Sequence, residues 1–113
     1  MMSKEEKNLL MTYLVDEMPS LRAKLGISQD DVAKRIGVSR QTISAIESKK
    51  RKATWNLFLS LFVFFISNES TYSMMKLQKG FVASVYKYLS VDLPKAMQGE
   101  EITNQYSKEF DNT

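Results

Sequence analysis

The chain has 113 residues, no cysteine and no histidine, and a formal net charge of +3. The missing residue types exclude disulfides, thiolate or imidazole metal sites and histidine-based acid–base catalysis. We find no paired-carboxylate, glycine-rich phosphate-loop or nucleophile-elbow motif, so the sequence predicts no enzyme, no metal site and no cofactor. The charge is uneven, because residues 19–53 hold nine basic and three acidic residues, a net +6. Such a concentration of positive charge indicates a polyanionic ligand.

The N-terminal part of the chain predicts two helices separated at a proline. Residues 3–17 are expected to form the first, with an inward apolar stripe made of Leu10, Tyr13, Leu14 and Met18. Pro19 fits the first turn of a new helix and disfavours continuation of the one before it, so a second helix is predicted over residues 19–25. Arg22 and Lys24 are expected to face outward, either as a solvated surface or as contacts to backbone phosphates.

Residues 28–48 predict two short helices joined by a tight turn. Ser28 is a suitable N-cap for the first helix, and Asp31 stands at the spacing of a capping box. Gly37 ends this helix, where a left-handed residue is needed. Ser39 is placed to cap the second helix.

The second of these helices has an apolar inner face and an unusual outer one. Ala33 is small where the helices cross, and Val38, Ile43 and Ile46 close the same core. The outward positions are Arg40, Gln41, Ser44, Ala45 and Ser48. Arginine can bind guanine and glutamine can bind adenine, each with two hydrogen bonds, and serine or alanine can contact a base edge or a thymine methyl. This layout predicts a helix-turn-helix whose second helix lies in the DNA major groove.

The run from Leu21 to Lys52 resembles the phage-repressor, Cro-like, XRE-type helix-turn-helix family of bacteria and phages, and the resemblance covers about residues 19–67. Its most telling parts are LGISQ, Ala33, GVSRQTIS and the basic segment after Glu47. The resemblance implies that Gln29 contacts a phosphate and braces the recognition helix. It also implies contacts to base edges and phosphates from Ser39, Arg40, Gln41, Ser44 and Ala45.

The chain departs from the family directly after the recognition helix. The family usually has a glycine soon after the glutamate of that helix, where this chain has Lys49, so we expect a differently shaped turn. Phosphate contacts that fix the register on DNA are predicted for Gln29, Ser39, Thr42, Lys49, Lys50, Arg51 and Lys52.

The following segment, residues 55–67, predicts an apolar helix that is buried on most sides and capped by Thr54. Its apolar run is shorter than the ~20 residues needed to cross a bilayer, so a buried helix is favoured over a membrane segment. Its partners are expected to be the N-terminal helix, the C-terminal helices or a second subunit.

The C-terminal third predicts a weak helix over residues 71–79 and, after Gly80, an amphipathic helix over residues 81–89. The latter packs on the core by default, and pairing with a second copy is the alternative. Residues 91–113 predict a polar, partly disordered tail. The spacing of Ile102, Tyr106 and Phe110 leaves open a terminal helix that docks on a partner.

The sequence as a whole predicts an all-α fold, a bundle of five to seven helices of the phage-repressor-like type with extra N- and C-terminal helices. The predicted organisation is a DNA-binding domain over residues 1–68, a helical extension over 69–90 that could serve dimerisation, and the tail. The charged N-terminus carries no secretory signal, which predicts a cytoplasmic protein without a membrane anchor.

Two functions from different classes follow from these features. The first is a sequence-specific transcriptional regulator, a homodimeric repressor that binds double-stranded DNA at a near-palindromic operator. The alternative is a protein-interaction module, antitoxin-like or a phage or plasmid accessory protein. It would bind a protein partner through the aromatic helix or the C-terminal helices.

Overall fold

A computed structural model describes residues 2–92, and these residues contain six α-helices and no strand. The helices are α1 (Lys4–Leu25), α2 (Gln29–Ile36), α3 (Arg40–Glu47), α4 (Trp55–Ile66), α5 (Glu69–Leu77) and α6 (Phe81–Leu89). The predicted all-α class is therefore confirmed. The predictions for residues 93–113, including the spacing of Ile102, Tyr106 and Phe110, lie outside the described residues.

The chain divides into two compact units. The central unit is Met11–Met74, and the terminal unit joins Met1–Leu10 with Met75–Thr113. In the described part of the terminal unit, the buried apolar side chains are Leu10, Met75, Phe81, Val82 and Val85. The predicted domain boundaries after residues 68 and 90 stay a prediction.

Helix α1 corrects the predicted break at Pro19, because the helix runs without interruption from Lys4 to Leu25 with this proline inside it. An interior proline costs about 3 kcal/mol through its missing hydrogen bond and its ring clash. Leu14, Met18 and Leu21 lie on the buried face, spaced four and three residues apart. Since burying each such side chain contributes roughly 1.5–3 kcal/mol, continuing the helix outweighs the cost of the proline.

Helix α4 supplies the aromatic part of the central core. Its buried face is Phe58, Leu61, Phe62 and Phe65, a helical spacing of three, one and three residues. The prediction of burial on most sides is confirmed, and the remaining side is an exposed stripe of Asn56, Ser60 and Val63, of which Val63 is 56% exposed. Helix α4 therefore has more apolar side chains than the core of the central unit buries.

The C-terminal helices follow the sequence pattern with one shift. The predicted helix over residues 81–89 is confirmed, and α5 begins at Glu69, two residues earlier than expected. Thr71 is fully buried in α5, and its hydroxyl donates a 2.6 Å hydrogen bond to the carbonyl oxygen of Phe65. That bond satisfies the buried hydroxyl and holds the start of α5 against the end of α4.

Candidate nucleic-acid interface

Helix α2 is bounded at both ends by local hydrogen bonds that the sequence predicts. The Ser28 hydroxyl accepts the Asp31 N–H at 3.0 Å, and the Asp31 carboxylate accepts the Ser28 N–H at 2.9 Å, which confirms the capping box. These hydrogen bonds, first from the Ser28 backbone and then from its side chain, lower the pKa of Asp31. Gly37 has φ 84°, and its N–H donates to the Ala33 carbonyl, so α2 ends in the expected left-handed residue.

Helix α3 begins at a second predicted cap, where the Ser39 hydroxyl accepts the Thr42 N–H at 3.1 Å. Ile43 and Ile46 are fully buried, so one face of the helix is held on the core. Arg40 and Gln41 are exposed in the first turn of the opposite face. The helix therefore presents long polar side chains, one of them charged, from a backbone that is fixed at its N-terminus and along its inner face.

The other predicted contact residues differ in their exposure to solvent. Exposed positions are Ser39, Lys49, Lys50 and Arg51, and half-buried positions are Gln29, Thr42, Ser44 and Ala45. The hydroxyls of Ser39 and Thr42 lie 2.9 Å apart in a hydrogen bond. Every one of these residues lies in the central unit, and their contacts to DNA stay a prediction.

A polar network at the end of α3 was not predicted from the sequence. Arg22 in α1 donates two 2.8 Å hydrogen bonds to the two carboxylate oxygens of Glu47, and Gln29 in α2 donates a third at 3.2 Å. The side chain of Glu47 is only 7% exposed. This carboxylate therefore joins three helices at the base of the recognition helix.

The network also corrects the prediction that Arg22 faces outward. Its side chain is 19% exposed and adds a 3.3 Å hydrogen bond to the carbonyl of Ile27. The hydrogen bond to Glu47 raises the pKa of the guanidinium, which stays charged. The carboxylate of Glu47 lies inward in the last turn of α3 and accepts hydrogen bonds that water would otherwise accept from the guanidinium. This charged pairing is why the side chain of Arg22 turns inward. The available signal was Glu47 itself, which lies four residues after buried Ile43.

The turn that follows α3 has a lysine in a conformation that favours glycine. Lys49 has φ 65°, the one positive value at a non-glycine residue among residues 2–92. Its N–H donates to the Ile46 carbonyl at 3.0 Å, and the N–H of Lys50 donates to the Ala45 carbonyl at 2.9 Å. These two bonds define a Schellman motif. Replacing the usual glycine by lysine therefore does not abolish a left-handed turn here.

The basic segment Lys49–Lys52 is exposed, and its members differ in their pairing. Lys49 Nζ lies 2.5 Å from Asp16 Oδ1 in α1. The three cations that follow form no ion pair with any residue that the structure describes. The segment thus offers unpaired positive charge a few residues after the C-terminal end of α3.

Sequence comparison agrees with this geometry. Residues 20–54 match the model of the Helix-turn-helix family, which confirms the resemblance to that family for this part of the chain. No curated protein and no solved structure matches the chain. The fold and the family match together assign residues 20–54 to a helix-turn-helix, which in general terms supports a DNA-binding regulator.

Within residues 2–92, no group of three acidic side chains is arranged to hold a metal ion. No helix in that range combines the length and the apolar composition that crossing a membrane requires. An open groove of about 530 Å³ lies in the central unit, and its apolar lining is Ile36, Leu59, Val63 and Phe64.

Proposed function

We propose that this chain is a sequence-specific DNA-binding transcriptional regulator, a cytoplasmic homodimeric repressor that binds a near-palindromic operator through α3. The observation that carries the proposal is the exposed pair Arg40 and Gln41, which opens a capped helix inside the segment that matches the helix-turn-helix family. An N-terminal position on the recognition helix is where such proteins contact base edges.

In this proposal the residues divide into two roles. Arg40 and Gln41 contact base edges, together with Ser44 and Ala45 one turn further on. Phosphate contacts come from Gln29, Ser39, Thr42, Lys50 and Arg51, and these set the register without selecting a sequence. Lys49 is treated separately from these phosphate contacts, because its ammonium group is already paired with Asp16.

A single helix-turn-helix contacts only a few base pairs, so we expect two copies of the chain to bind together as a homodimer. Two recognition helices on neighbouring half-sites would lie about 34–36 Å apart, one turn of B-DNA. Operator symmetry would then mirror the two-fold symmetry of the protein.

The first test is an enrichment of bound sequences from a random duplex library, followed by fluorescence anisotropy with the enriched duplex and a scrambled one. A regulator is expected to bind the enriched duplex about 10³-fold more tightly or better at equal salt. Titrations with the labelled duplex held at a concentration well above the dissociation constant would give the stoichiometry. Equal and steeply salt-dependent affinity for both duplexes would contradict sequence-specific binding.

Arg40→Ala tests the base-contacting role. If the guanidinium binds a guanine, the variant loses about 1–3 kcal/mol of discrimination at one operator position. Lys50→Ala is the matched control, because a lost phosphate contact weakens binding to all sequences alike. An Arg40→Ala variant that loses affinity equally for enriched and scrambled duplexes would remove Arg40 from the base contacts.

A protein-interaction module is the second candidate, and the groove beside α4 favours it. The hydroxyls of Ser60 and Ser67 donate to carbonyls of their own helix, so they leave the groove lined mainly by apolar atoms. A concave surface of this volume with a mostly apolar lining is a common place for a ligand to bind. Val63→Glu would abolish such binding while sparing contacts made by α3, and pull-down with the partner against DNA anisotropy would separate the two functions.

A further inference from the structure

The pair formed by Asp16 and Lys49 joins the basic segment to the part of α1 that precedes the matched helix-turn-helix residues. Asp16 precedes residues 20–54, and its carboxylate lies 2.5 Å from the ammonium group of Lys49. Both side chains are open to solvent, with exposed fractions of 47% and 63%. A DNA phosphate can therefore approach the ammonium group of Lys49 that is paired with Asp16.

The backbone of Lys49 limits where its side chain can go. Its left-handed φ of 65° and the two bonds of the Schellman motif fix the point from which the side chain leaves the turn. From this fixed point the ammonium group reaches Asp16. Of the four consecutive cations, the first is thus neutralised within the central unit, whereas Lys50, Arg51 and Lys52 have no ion pair among the described residues.

We propose that Asp16 in α1 competes with DNA phosphate for Lys49. This competition lowers the affinity of the helix-turn-helix for DNA, and it also lowers the dependence of that affinity on salt. The proposal rests on the DNA-binding function proposed above. A phosphate that takes Lys49 must displace the carboxylate and remain near a like charge. While the pair persists, Lys49 releases no counterion from DNA, and removing the carboxylate adds one cation to the interface.

The size of the effect follows from counterion release. Each additional phosphate contact makes the logarithm of affinity fall by about 0.9 more per tenfold increase in salt. Between roughly 50 and 200 mM salt, one extra contact corresponds to an additional loss of about 3.5-fold. An Asp16→Asn variant is expected to bind more tightly than the unmodified chain, and its advantage should be about 3.5-fold larger at roughly 50 mM than at roughly 200 mM salt.

The experiment is fluorescence anisotropy with a labelled duplex of mixed sequence, because phosphate contacts do not depend on sequence. Four proteins are compared with the full chain: Asp16→Asn, Lys49→Gln, the double variant, and Glu5→Gln. Glu5 is exposed in the first turn of α1 and loses the same charge about 16 Å along the helix axis from Asp16. That separation exceeds the Debye length of about 10 Å at 0.1 M salt. Thermal melts followed by circular dichroism confirm that each variant is folded.

The expected result is tighter binding and a steeper salt slope for Asp16→Asn alone, and no effect of Asp16→Asn once Lys49 is already glutamine. Unchanged or weaker binding by Asp16→Asn would overturn the proposal. A gain that persists without Lys49, or that Glu5→Gln reproduces, would also overturn it, because the cause would then be net charge. If the unmodified chain fails to bind any duplex, the DNA-binding function itself fails. Normal binding with no change in Asp16→Asn removes only the competition.

Discussion

Replacing Glu47 by methionine should destabilise the central unit by about 3 kcal/mol. The variant removes three hydrogen bonds, two of which come from the charged guanidinium of Arg22 at 2.8 Å. Leaving one member of a buried ion pair without its partner costs about 3–5 kcal/mol. The lower end applies here, because the side chain of Arg22 is 19% exposed and water can reach part of it.

A double-mutant cycle separates the pair from the rest of the network. The double variant with Arg22→Met and Glu47→Met leaves no unpaired charge, so it should lie within about 1 kcal/mol of the original protein. The remaining cost comes from two lost hydrogen bonds, the one from Gln29 to Glu47 and the one from Arg22 to the carbonyl of Ile27. Urea unfolding followed by circular dichroism measures all four proteins. If the double variant is as unstable as the Glu47→Met single variant, the cost does not come from an uncompensated charge and this reasoning is refuted.

Two further predictions concern a backbone conformation and an ionisation. Gly37→Ala should cost about 1–2 kcal/mol in urea unfolding, because φ is 84° and nothing within 4 Å would meet the added methyl group, so conformation is the whole cost. A cost near zero would contradict the left-handed conformation of Gly37. Burial, and secondarily the carboxylate of Glu17, raises the pKa of Tyr13 from 10.0 to about 12. Between these pH values the unfolded chain loses the phenol proton and the folded chain keeps it, so stability should fall as pH rises through this window. Absorbance at the phenolate band should show a late-titrating component, and Tyr13→Phe should remove that component together with the loss of stability.

Local signals account for the parts of the fold that the sequence predicted well. The caps at Ser28, Ser39 and Thr54 depend on hydrogen bonds to a residue three positions away, and Gly37 depends on its own backbone. Such interactions are contained within one turn of helix, so the order of residues is enough to place them. The exposed positions of Arg40 and Gln41 follow in the same way from the spacing of buried Ile43 and Ile46.

The missed features depend on residues that are distant in the chain. Arg22 and Glu47 are 25 positions apart, and only the packing of α1 against α3 brings them together. The continuation of α1 through Pro19 has the same origin, because buried side chains on both sides of the proline outweigh its local preference. The local pattern of charged residues and of helix-breaking residues such as proline therefore predicts neither the Arg22–Glu47 pair nor the continuation of α1.

The short length of α3 has a consequence for how its specificity could be altered. Eight residues are too few for a stable helix in water, so the conformation of α3 is supplied by Ile43, Ile46 and Glu47 on its inner side. The side chains of Arg40 and Gln41 take no part in that support, since both project from the opposite face. A peptide cut from residues 39–48 would not keep the shape needed for a groove. In the intact unit, by contrast, the side chains at positions 40 and 41 could be replaced to change sequence preference without loss of the fold.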